Sequence, residues 1–429
     1  MSEKLALEGG PRTVPEGLIK TWPVITEADR KAVLAVLDSG HLHGTGAPQA
    51  VALQKEWAQY CGVKYALVTN SGTSAIHMGL AAVGVEAHDE VITCALTYWS
   101  TAAAILHQCA IPVFVDIEPV TYNIDPTKIE EKITERTKAI LPVDLHGMPC
   151  DMDPILDLAR RYDLKVVTDS CQAHGAEYKG RKVGSLGDVS AFSLNRSKNL
   201  CGCDGGLLTT DNEEYYERAK MVREFGEVII HGREREYMAY GLGWNYRSVE
   251  FVNAFTRSQL TRLEEYNEKR RELAHRLTAA FKDIPGVEGP PEPEGRKPVY
   301  FAYVVTFRPD QLGLDEVEPA RFTAAAERAL NAEGIGMGKW QRVPVPGMVV
   351  FQKKRAFGKG EPWRSARSNV VYRAEDYPET LKFLASHSYL RGVHPPNDVE
   401  LIDLYLEGFK KVMGQMDKVL ALVERQEQA

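Results

Sequence analysis

The sequence has no stretch of about 18 consecutive apolar residues, the length that a membrane-spanning helix requires. Its first residues, MSEKLALEGGPR, lack the basic region and apolar core of a secretory signal. No block of five or more basic residues occurs, and the formal net charge is −7, whereas nucleic-acid binding needs a basic face. We therefore expect a cytoplasmic protein that binds neither membranes nor nucleic acids.

Cysteine is also scarce, and its pattern excludes two further classes. There are seven cysteines in 429 residues, an odd number in a chain long enough to fold without disulfide staples. Cys201 and Cys203 form a C-x-C pair, not the C-x-x-C of zinc ribbons, and no later pair completes four ligands. His41 and His43 likewise lack a third and fourth ligand. The expectation is reduced thiols and no metal site.

What the sequence does contain is an alternation of short β-branched runs and helical stretches between residue 64 and about residue 210. This spacing is typical of βαβ units, which form a parallel sheet with helices on both faces. The predicted fold class is therefore α/β. The predicted strands are KYALVTN (64–70), EVITCAL (90–96), IPVFVDI (111–117), TKAILPVDL (137–145), LKVVTDS (164–170), GDVSAFSL (187–194) and GGLLTTD (205–211), and the predicted helices are 72–83, 99–108, 152–162 and 213–226.

The pattern changes after Asn245. Residues 226–245 are rich in glycine and charge and predict an irregular segment, whereas residues 249–282 predict helix. VYFAYVVTF (299–307) alternates as a strand does, and residues 399–426 predict one long amphipathic helix.

This change of pattern, in a chain long enough for two or three domains, places a domain boundary near residues 255–285. The predicted units are a large domain at residues 1–255, which includes an N-terminal arm, and a smaller α+β domain at residues 256–429.

Three segments carry residues suited to chemistry, and the first is NSGTSA (70–75), where a strand ends and a helix begins. Helix N-termini present unpaired N–H groups and a partial positive charge. Gly72 permits close backbone approach and Thr73 adds a hydroxyl, so the segment is suited to bind a phosphate. A helix cap is the alternative interpretation.

The second segment is VVTDSCQAHG (166–175), in which Asp169 follows a hydrophobic strand. At the sheet edge where α/β proteins bind ligands, a carboxylate could keep a ring nitrogen protonated. Another helix cap is the alternative.

The third segment is SAFSLNRSKNLCGCDGG (190–206), in which Lys198 follows a strand within a small polar loop and precedes Gly205 and Gly206. A surface lysine is the alternative. Taken together, a phosphate site, a carboxylate and a lysine in one parallel-sheet domain are the set that pyridoxal phosphate needs.

Several ordered blocks identify the chain as similar to a known family. It resembles the DegT/DnrJ/EryC1/StrS family of sugar and aminocyclitol aminotransferases. The resemblance implies the aspartate-aminotransferase type I fold of pyridoxal-phosphate-dependent transferases, with a mainly parallel seven-stranded sheet in the large, cofactor-binding domain. The blocks are SGHLHGTG (39–46), NSGTSA (70–75), DEVITCALTYWST (89–101), PVFVDIEPVTYNID (112–125), KAILPVDLHGMPCDMDPI (138–155), the Asp169 segment, YKGRKVGSLGDVSAFSLNRSKN (178–199) and GWNYRSVEFVNAFTRSQL (243–260).

The resemblance implies roles for the cofactor-binding residues. Lys198 falls on the lysine that holds the cofactor as a Schiff base, and Asp169 on the carboxylate that pairs with the pyridine nitrogen. Gly72 and Thr73 fall on the phosphate-binding loop, and Ser193 on its hydroxyl partner.

Other positions match residues around the ring and between subunits. Tyr98 matches the aromatic residue that stacks on the cofactor, with Trp99 beside it as a packing or substrate-facing residue, and Gln172 matches a polar neighbour of the ring. Asn245 matches a residue that reaches the partner subunit's phosphate, which implies a homodimer with a shared active site. Arg247 is a candidate contact for a donor carboxylate, or else an interface arginine.

The chain departs from the family pattern in two places. In the turn after the lysine, Cys203 replaces a glycine, and Gly202 is expected to supply the flexibility instead. The portion from residue 339 onward, KWQRVPVPGMVVFQKKRAFGKGEPW, is longer than in the sugar enzymes and is closer to the branch that acts on cyclitols. For His41, His43 and His146 the expectation is a structural role.

The expected reaction moves an amino group from glutamine or glutamate to a keto-sugar or keto-cyclitol. A dehydratase or lyase with the same cofactor is the alternative, although sugar dehydratases of the family carry histidine where this chain has Lys198. A nicotinamide oxidoreductase would need G-x-G-x-x-G after the first strand, which NSGTSA is not. A catalytically silent regulator would tend to have lost Lys198 or Asp169.

Overall fold

The computed structural model describes residues 3–44, 46–230 and 233–428. Thr45 of the block at 39–46 and residues 231–232 of the predicted irregular segment lie outside the described residues. The strands are β1 Tyr65–Thr69, β2 Glu90–Cys94, β3 Ile111–Val115, β4 Thr137–Leu141, β5 Lys165–Asp169, β6 Glu177–Tyr178, β7 Arg181–Lys182, β8 Val189–Ser193, β9 Gly206–Thr210, β10 Val287–Glu288, β11 Arg296–Lys297, β12 Tyr303–Phe307, β13 Met337–Gly338 and β14 His387–Leu390. The helices are α1 Glu27–Ser39, α2 Pro48–Cys61, α3 Gly72–Ala82, α4 Trp99–His107, α5 Met152–Arg161, α6 Glu213–Arg223, α7 Glu250–Leu260, α8 Leu263–Phe281, α9 Pro319–Ala332, α10 Val349–Gln352, α11 Pro378–Ser386, α12 Val399–Met413 and α13 Met416–Gln428.

A seven-stranded sheet organises the first half of the chain, in the order β1-β9-β8-β5-β4-β2-β3. β9 is antiparallel to both of its neighbours, and the other six strands run in one direction. β2 and β3 are buried along their whole length, as expected when helices cover both faces. The predicted α/β fold with a mainly parallel seven-stranded sheet is confirmed.

The second half forms a smaller α+β unit around the antiparallel sheet β10-β12-β14-β13. Helices α8, α9 and α11 contact this sheet, and α12 packs on α8 and α9. The hydrophobic core of this unit also contains Leu5 and Val14 from the N-terminal arm. The arm is fastened there by the buried carboxylate of Glu333, which accepts hydrogen bonds from the Ala6 N–H and from Thr13. The domain division at residues 255 and 256 stays a prediction.

Three predicted elements need correction. The single helix predicted at 399–426 is two helices, α12 and α13, since the N–H of Gln415 bonds three residues back to Val412 just after Gly414, a poor helix former. The helical stretch predicted at 249–282 is likewise divided, into α7 and α8.

The third correction concerns the strand predicted at 299–307, which is limited to β12, because Tyr300 adopts a positive φ of 45° that a strand cannot contain. Within the part of the chain that the structure describes, no helix has the length and apolar character needed to cross a membrane.

Candidate functional site

The predicted site residues meet at the carboxyl ends of the parallel strands. Asp169 ends β5 and Ser193 ends β8, and these strands are neighbours in the sheet. Gly72 begins α3 directly after β1. A Cβ atom at Gly72 would lie 2.6 Å from the Ser193 Cβ and 2.9 Å from the Cys171 Sγ. A side chain at position 72 would therefore separate the three segments that form the site.

The N-terminus of α3 combines a helix cap with a free donor set. The Ser71 Oγ accepts a hydrogen bond from the Ser74 N–H at 3.0 Å, which is the predicted cap. The N–H groups of Gly72 and Thr73 belong to the first helical turn and have no intrahelical acceptor. Among the described residues, the Thr73 hydroxyl has no hydrogen-bond partner. These donors, beside Ser193, fit a phosphate.

Asp169 is buried and its carboxylate is only partly satisfied by the protein. Its Oδ2 accepts a hydrogen bond from the Thr101 hydroxyl at 2.7 Å, and its Oδ1 accepts from the Cys171 N–H at 3.2 Å. Each oxygen retains a lone pair, which suits a protonated ring nitrogen. A turn, not a helix, follows Asp169, so the alternative interpretation as a helix cap is wrong.

Lys198 lies in the loop between β8 and β9 and is half-buried. The indole N–H of Trp22 donates to the Lys198 carbonyl at 3.0 Å and fixes the backbone. The Lys198 Nζ lies 4.3 Å from the centre of the Phe301 ring. Burial lowers the pKa of Lys198, and the neighbouring Cys171 and Asp169 oppose that shift. Because the side chain is half-buried within the site, the surface-lysine alternative is wrong.

Two exposed aromatic rings border the site. Tyr98 precedes α4 and is 58% exposed, and its ring centre lies 6.2 Å from that of Trp340, which is 41% exposed. Trp340 stacks on Tyr389 at 5.9 Å. Trp99 instead turns its ring toward Phe351 at 6.2 Å, which is the packing role expected as one of its two alternatives.

Gln172 and His146 connect this aromatic border to the sheet. The Gln172 Oε1 accepts a hydrogen bond from the His146 N–H at 2.8 Å, and the His146 Nε2 pairs with the Tyr389 hydroxyl at 2.9 Å. Burial lowers the pKa of His146 to about 3, so this histidine is neutral near pH 7. His146 therefore has the structural role that we expected.

Asn245 is exposed next to the start of α3. Its carbonyl accepts a hydrogen bond from the Asn70 side chain at 3.3 Å, and its Oδ1 accepts from the Arg247 Nε at 3.0 Å. Arg247 also lies 3.9 Å from Glu224. The reach of Asn245 to a partner subunit and the contact of Arg247 with a donor stay predictions.

The turn after Lys198 corrects one expectation. Cys203 itself takes a left-handed conformation with φ 74°, and Gly202 does not. Gly202 is required for another reason, because a Cβ there would lie 2.5 Å from the Thr256 Oγ1. The prediction that Gly202 supplies the flexibility of this turn is therefore wrong.

The sequence interpretation missed four residues of this site: Thr101, Trp22, Trp340 and Phe301. None of the four stands out in the sequence: Thr97 and Thr101 are four residues apart, but Thr97 precedes α4, so helical spacing does not pair them.

Comparison with known proteins shows the family and the fold of the chain. The family model of the DegT/DnrJ/EryC1/StrS aminotransferase family matches residues 23–353. GDP-perosamine synthase of Caulobacter vibrioides is 38% identical over 275 residues, covering 62% of this chain and 73% of that protein. A Micromonospora echinospora protein assigned as an L-glutamine:3-amino-2,3-dideoxy-scyllo-inosose aminotransferase is 36% identical, covering 67% of this chain and 68% of its own length. The crystal structure of Streptomyces venezuelae DesV in complex with a ketimine intermediate superimposes with a TM-score of 0.77 at 29% identity, covering 90% and 94% of the two chains.

Proposed function

The chain belongs to the DegT/DnrJ/EryC1/StrS aminotransferase family, and on that premise we propose that it uses pyridoxal phosphate held by Lys198 to transfer an amino group from glutamine or glutamate to a keto-sugar or keto-cyclitol. The observation that carries the proposal is the half-buried amine of Lys198 at the same sheet edge as the buried carboxylate of Asp169 and the helix start at Gly72.

Each residue has a task that follows from its surroundings. The first-turn N–H groups of α3, with the Thr73 and Ser193 hydroxyls, would bind the phosphate. Asp169 would hold the proton on the ring nitrogen. Bound pyridoxal phosphate supplies an aldehyde that links to amines and a pyridinium ring that takes up an electron pair. Lys198 would form the covalent link and, once released, would move a proton at the substrate carbon.

The substrate class follows from the border of the site and from the relatives. Exposed Trp340 offers an apolar ring face, on which the C–H face of a cyclic polyol can pack, beside Tyr98, which would stack on the cofactor. The relatives named above include enzymes named for a sugar product and for an aminocyclitol. The presence of Lys198, where sugar dehydratases of the family have histidine, favours transamination over dehydration.

The proposed functional unit is a homodimer. The irregular segment carries unusually exposed apolar side chains; Leu242, for example, is 76% exposed. A second copy of the chain would bury such a surface. Asn245 lies on the same segment, at the position that the family uses to reach the partner's phosphate. The exposed apolar residues of the segment are Val228, Ile230, Tyr237, Met238, Tyr240 and Leu242.

The test is the absorption spectrum of the purified protein, before and after addition of L-glutamine or L-glutamate. We expect a visible band that one of the two donors converts to a pyridoxamine-type band. Lys198→Ala should fold but lack the visible band, whereas Lys179→Ala, at an exposed lysine, should keep it. No band after incubation with pyridoxal phosphate would overturn the proposal in favour of a silent regulator. The converted enzyme can then be offered keto-sugars and keto-cyclitols side by side.

A further inference from the structure

We propose that Thr97 and Thr101 are positioning residues that hold the Asp169 carboxylate directed at the ring nitrogen of the cofactor, an inference that rests on the proposed function. Neither threonine is among the site residues that the sequence predicted. Thr97 belongs to the connection between β2 and α4, which also carries Tyr98, and Thr101 lies in the first turn of α4.

The direction of the hydrogen bonds follows from the chemistry of the three groups. The Thr101 Oγ1 lies 2.7 Å from the Asp169 Oδ2 and 2.7 Å from the Thr97 Oγ1. A carboxylate only accepts, and a threonine hydroxyl has a single hydrogen. The Thr101 hydrogen is therefore donated to Asp169, so Thr97 must donate to Thr101. The result is a one-way chain in which each bond strengthens the next.

Burial makes this chain effective. The side chains of Thr97, Thr101 and Asp169 are all buried, so water does not replace a missing donor. Thr101 lies in the first turn of α4, and Tyr98 is the residue just before that helix. One turn of the chain therefore fixes both the carboxylate for the ring nitrogen and the aromatic residue for the ring face.

The charged and titratable groups around Asp169 are Asp144, Cys171 and Lys198, and none of their side chains donates a hydrogen bond to the Asp169 carboxylate among the described residues. Burial raises the pKa of Asp144 to about 6, and the nearby charge of Asp169 adds to that shift. Burial also raises the pKa of the Cys171 thiol, which is therefore neutral. The cation nearby is Lys198, which interacts with Asp169 through charge and, among the described residues, donates no hydrogen bond to it. The Thr101 hydroxyl and the Cys171 N–H then remain as the protein donors to the Asp169 carboxylate.

The consequence concerns one proton. A hydrogen bond donated to a carboxylate lowers its affinity for a proton. A carboxylate held in place by the Thr101 hydroxyl would keep that proton on the ring nitrogen, where it would enable the ring to accept electrons. Without the Thr101 hydroxyl, Oδ2 loses its donor and the carboxylate is no longer held in the orientation that serves the ring nitrogen.

The test compares Thr101→Val, Thr101→Ser and Thr97→Val with the wild type, using pyridoxal phosphate labelled with ¹⁵N in the ring. Valine keeps the shape and removes the hydroxyl. We expect Thr101→Val to bind the cofactor about tenfold more weakly and its ring-nitrogen resonance to move toward that of unprotonated pyridine. Thr101→Ser should restore both, and Thr97→Val should shift both in the same direction by less. Thr93→Val removes another buried hydroxyl, one that donates to the Leu141 carbonyl, and should change neither.

The outcomes separate the inference from the proposed function. If the wild type binds the labelled cofactor and both valine variants at 97 and 101 leave the resonance unmoved, the inference is overturned and the function stands. A Thr101→Ser protein that behaves as Thr101→Val does would also overturn it, because the role would then be one of packing. A wild type that binds no cofactor would overturn both.

Discussion

The amine of Lys198 lies 4.3 Å from the centre of the Phe301 ring, which follows the left-handed residue Tyr300 at the point where the predicted strand fails to form. Two effects on the pKa of Lys198 oppose each other here. Burial lowers the pKa of Lys198, and the face of an aromatic ring stabilises an ammonium ion. Phe301, from the smaller α+β unit, therefore acts directly on the pKa of Lys198.

Phe301→Leu should lower the pKa of Lys198 further, because it removes the ring that stabilises the charged form. A cation–π contact of about 0.5–1 kcal/mol corresponds to about half a pH unit. The measurement is the pH dependence of pyridoxal phosphate uptake by the apoprotein, which needs the neutral amine. The midpoint should move to lower pH in Phe301→Leu and stay in place in Phe301→Tyr, which keeps the ring. An upward shift in the leucine variant would contradict the argument.

The seven strands of the large sheet and the helices between them were predictable because short buried runs alternate with helical stretches, whereas the short strands β6 and β7 were not predicted. Asp169 and Lys198 were predictable because polar residues at strand ends stand out against such runs. Thr101 was not assigned, since its partner Asp169 lies 68 residues away and only folding brings the two together. Phe301 and Trp340 reach the site by packing of the second half on the first, which local pattern does not encode.

At the turn after Lys198, the sequence predicted that Gly202 would supply the flexibility, but Cys203 takes the left-handed conformation instead. Its φ of 74° is costly for a residue with a Cβ. Cys203→Gly should therefore raise the free energy of unfolding by about 1 kcal/mol, after the greater flexibility of glycine in the unfolded chain is subtracted. Cys203→Ala keeps the Cβ and should leave stability unchanged. The measurement is the free energy of unfolding of the wild type and the two variants in urea. An equal increase in both variants would show that the thiol, and not the backbone conformation, destabilises the wild type.

Asp144 should make stability depend on pH. Burial raises its pKa to about 6 from an ordinary value of 3.8, despite hydrogen bonds from Ser170 and Cys150. The folded protein thus holds a proton that the unfolded chain releases between about pH 4 and pH 6. The contribution of Asp144 is favourable below that window and is lost as the pH rises through it, by an amount on the order of 3 kcal/mol.

Asp144→Asn cannot ionise, so its stability relative to the wild type should increase as the pH rises from about 4 to about 7 and then level off. The measurement is urea unfolding of both proteins across that range, in the apo form so that cofactor release does not contribute. A difference that stays constant with pH would contradict the assignment.

The shared active site can be tested by mixing two inactive proteins. If Asn245 serves the partner's phosphate, a dimer of one Lys198→Ala chain and one Asn245→Asp chain has one site with an intact lysine and an intact asparagine. The aspartate carries a negative charge toward the phosphate, so each variant alone should be inactive or nearly so. Co-refolding equal amounts should then recover about a quarter of the wild-type sites, because half of the dimers are mixed and each mixed dimer has one intact site.

A different geometry gives a different result in the same experiment. If Asn245 acts within its own subunit, every site of the mixed dimer carries one of the two substitutions and no activity returns. Leu242→Asp provides the matching control for assembly, since a charge in the exposed apolar segment should prevent dimer formation and abolish the recovery. Recovery by the Leu242→Asp proteins, with sedimentation showing dimers, would mean that this segment is not the interface. The activity of the mixture therefore reports on the position of Asn245, and its loss with Leu242→Asp reports on the surface that brings Asn245 there.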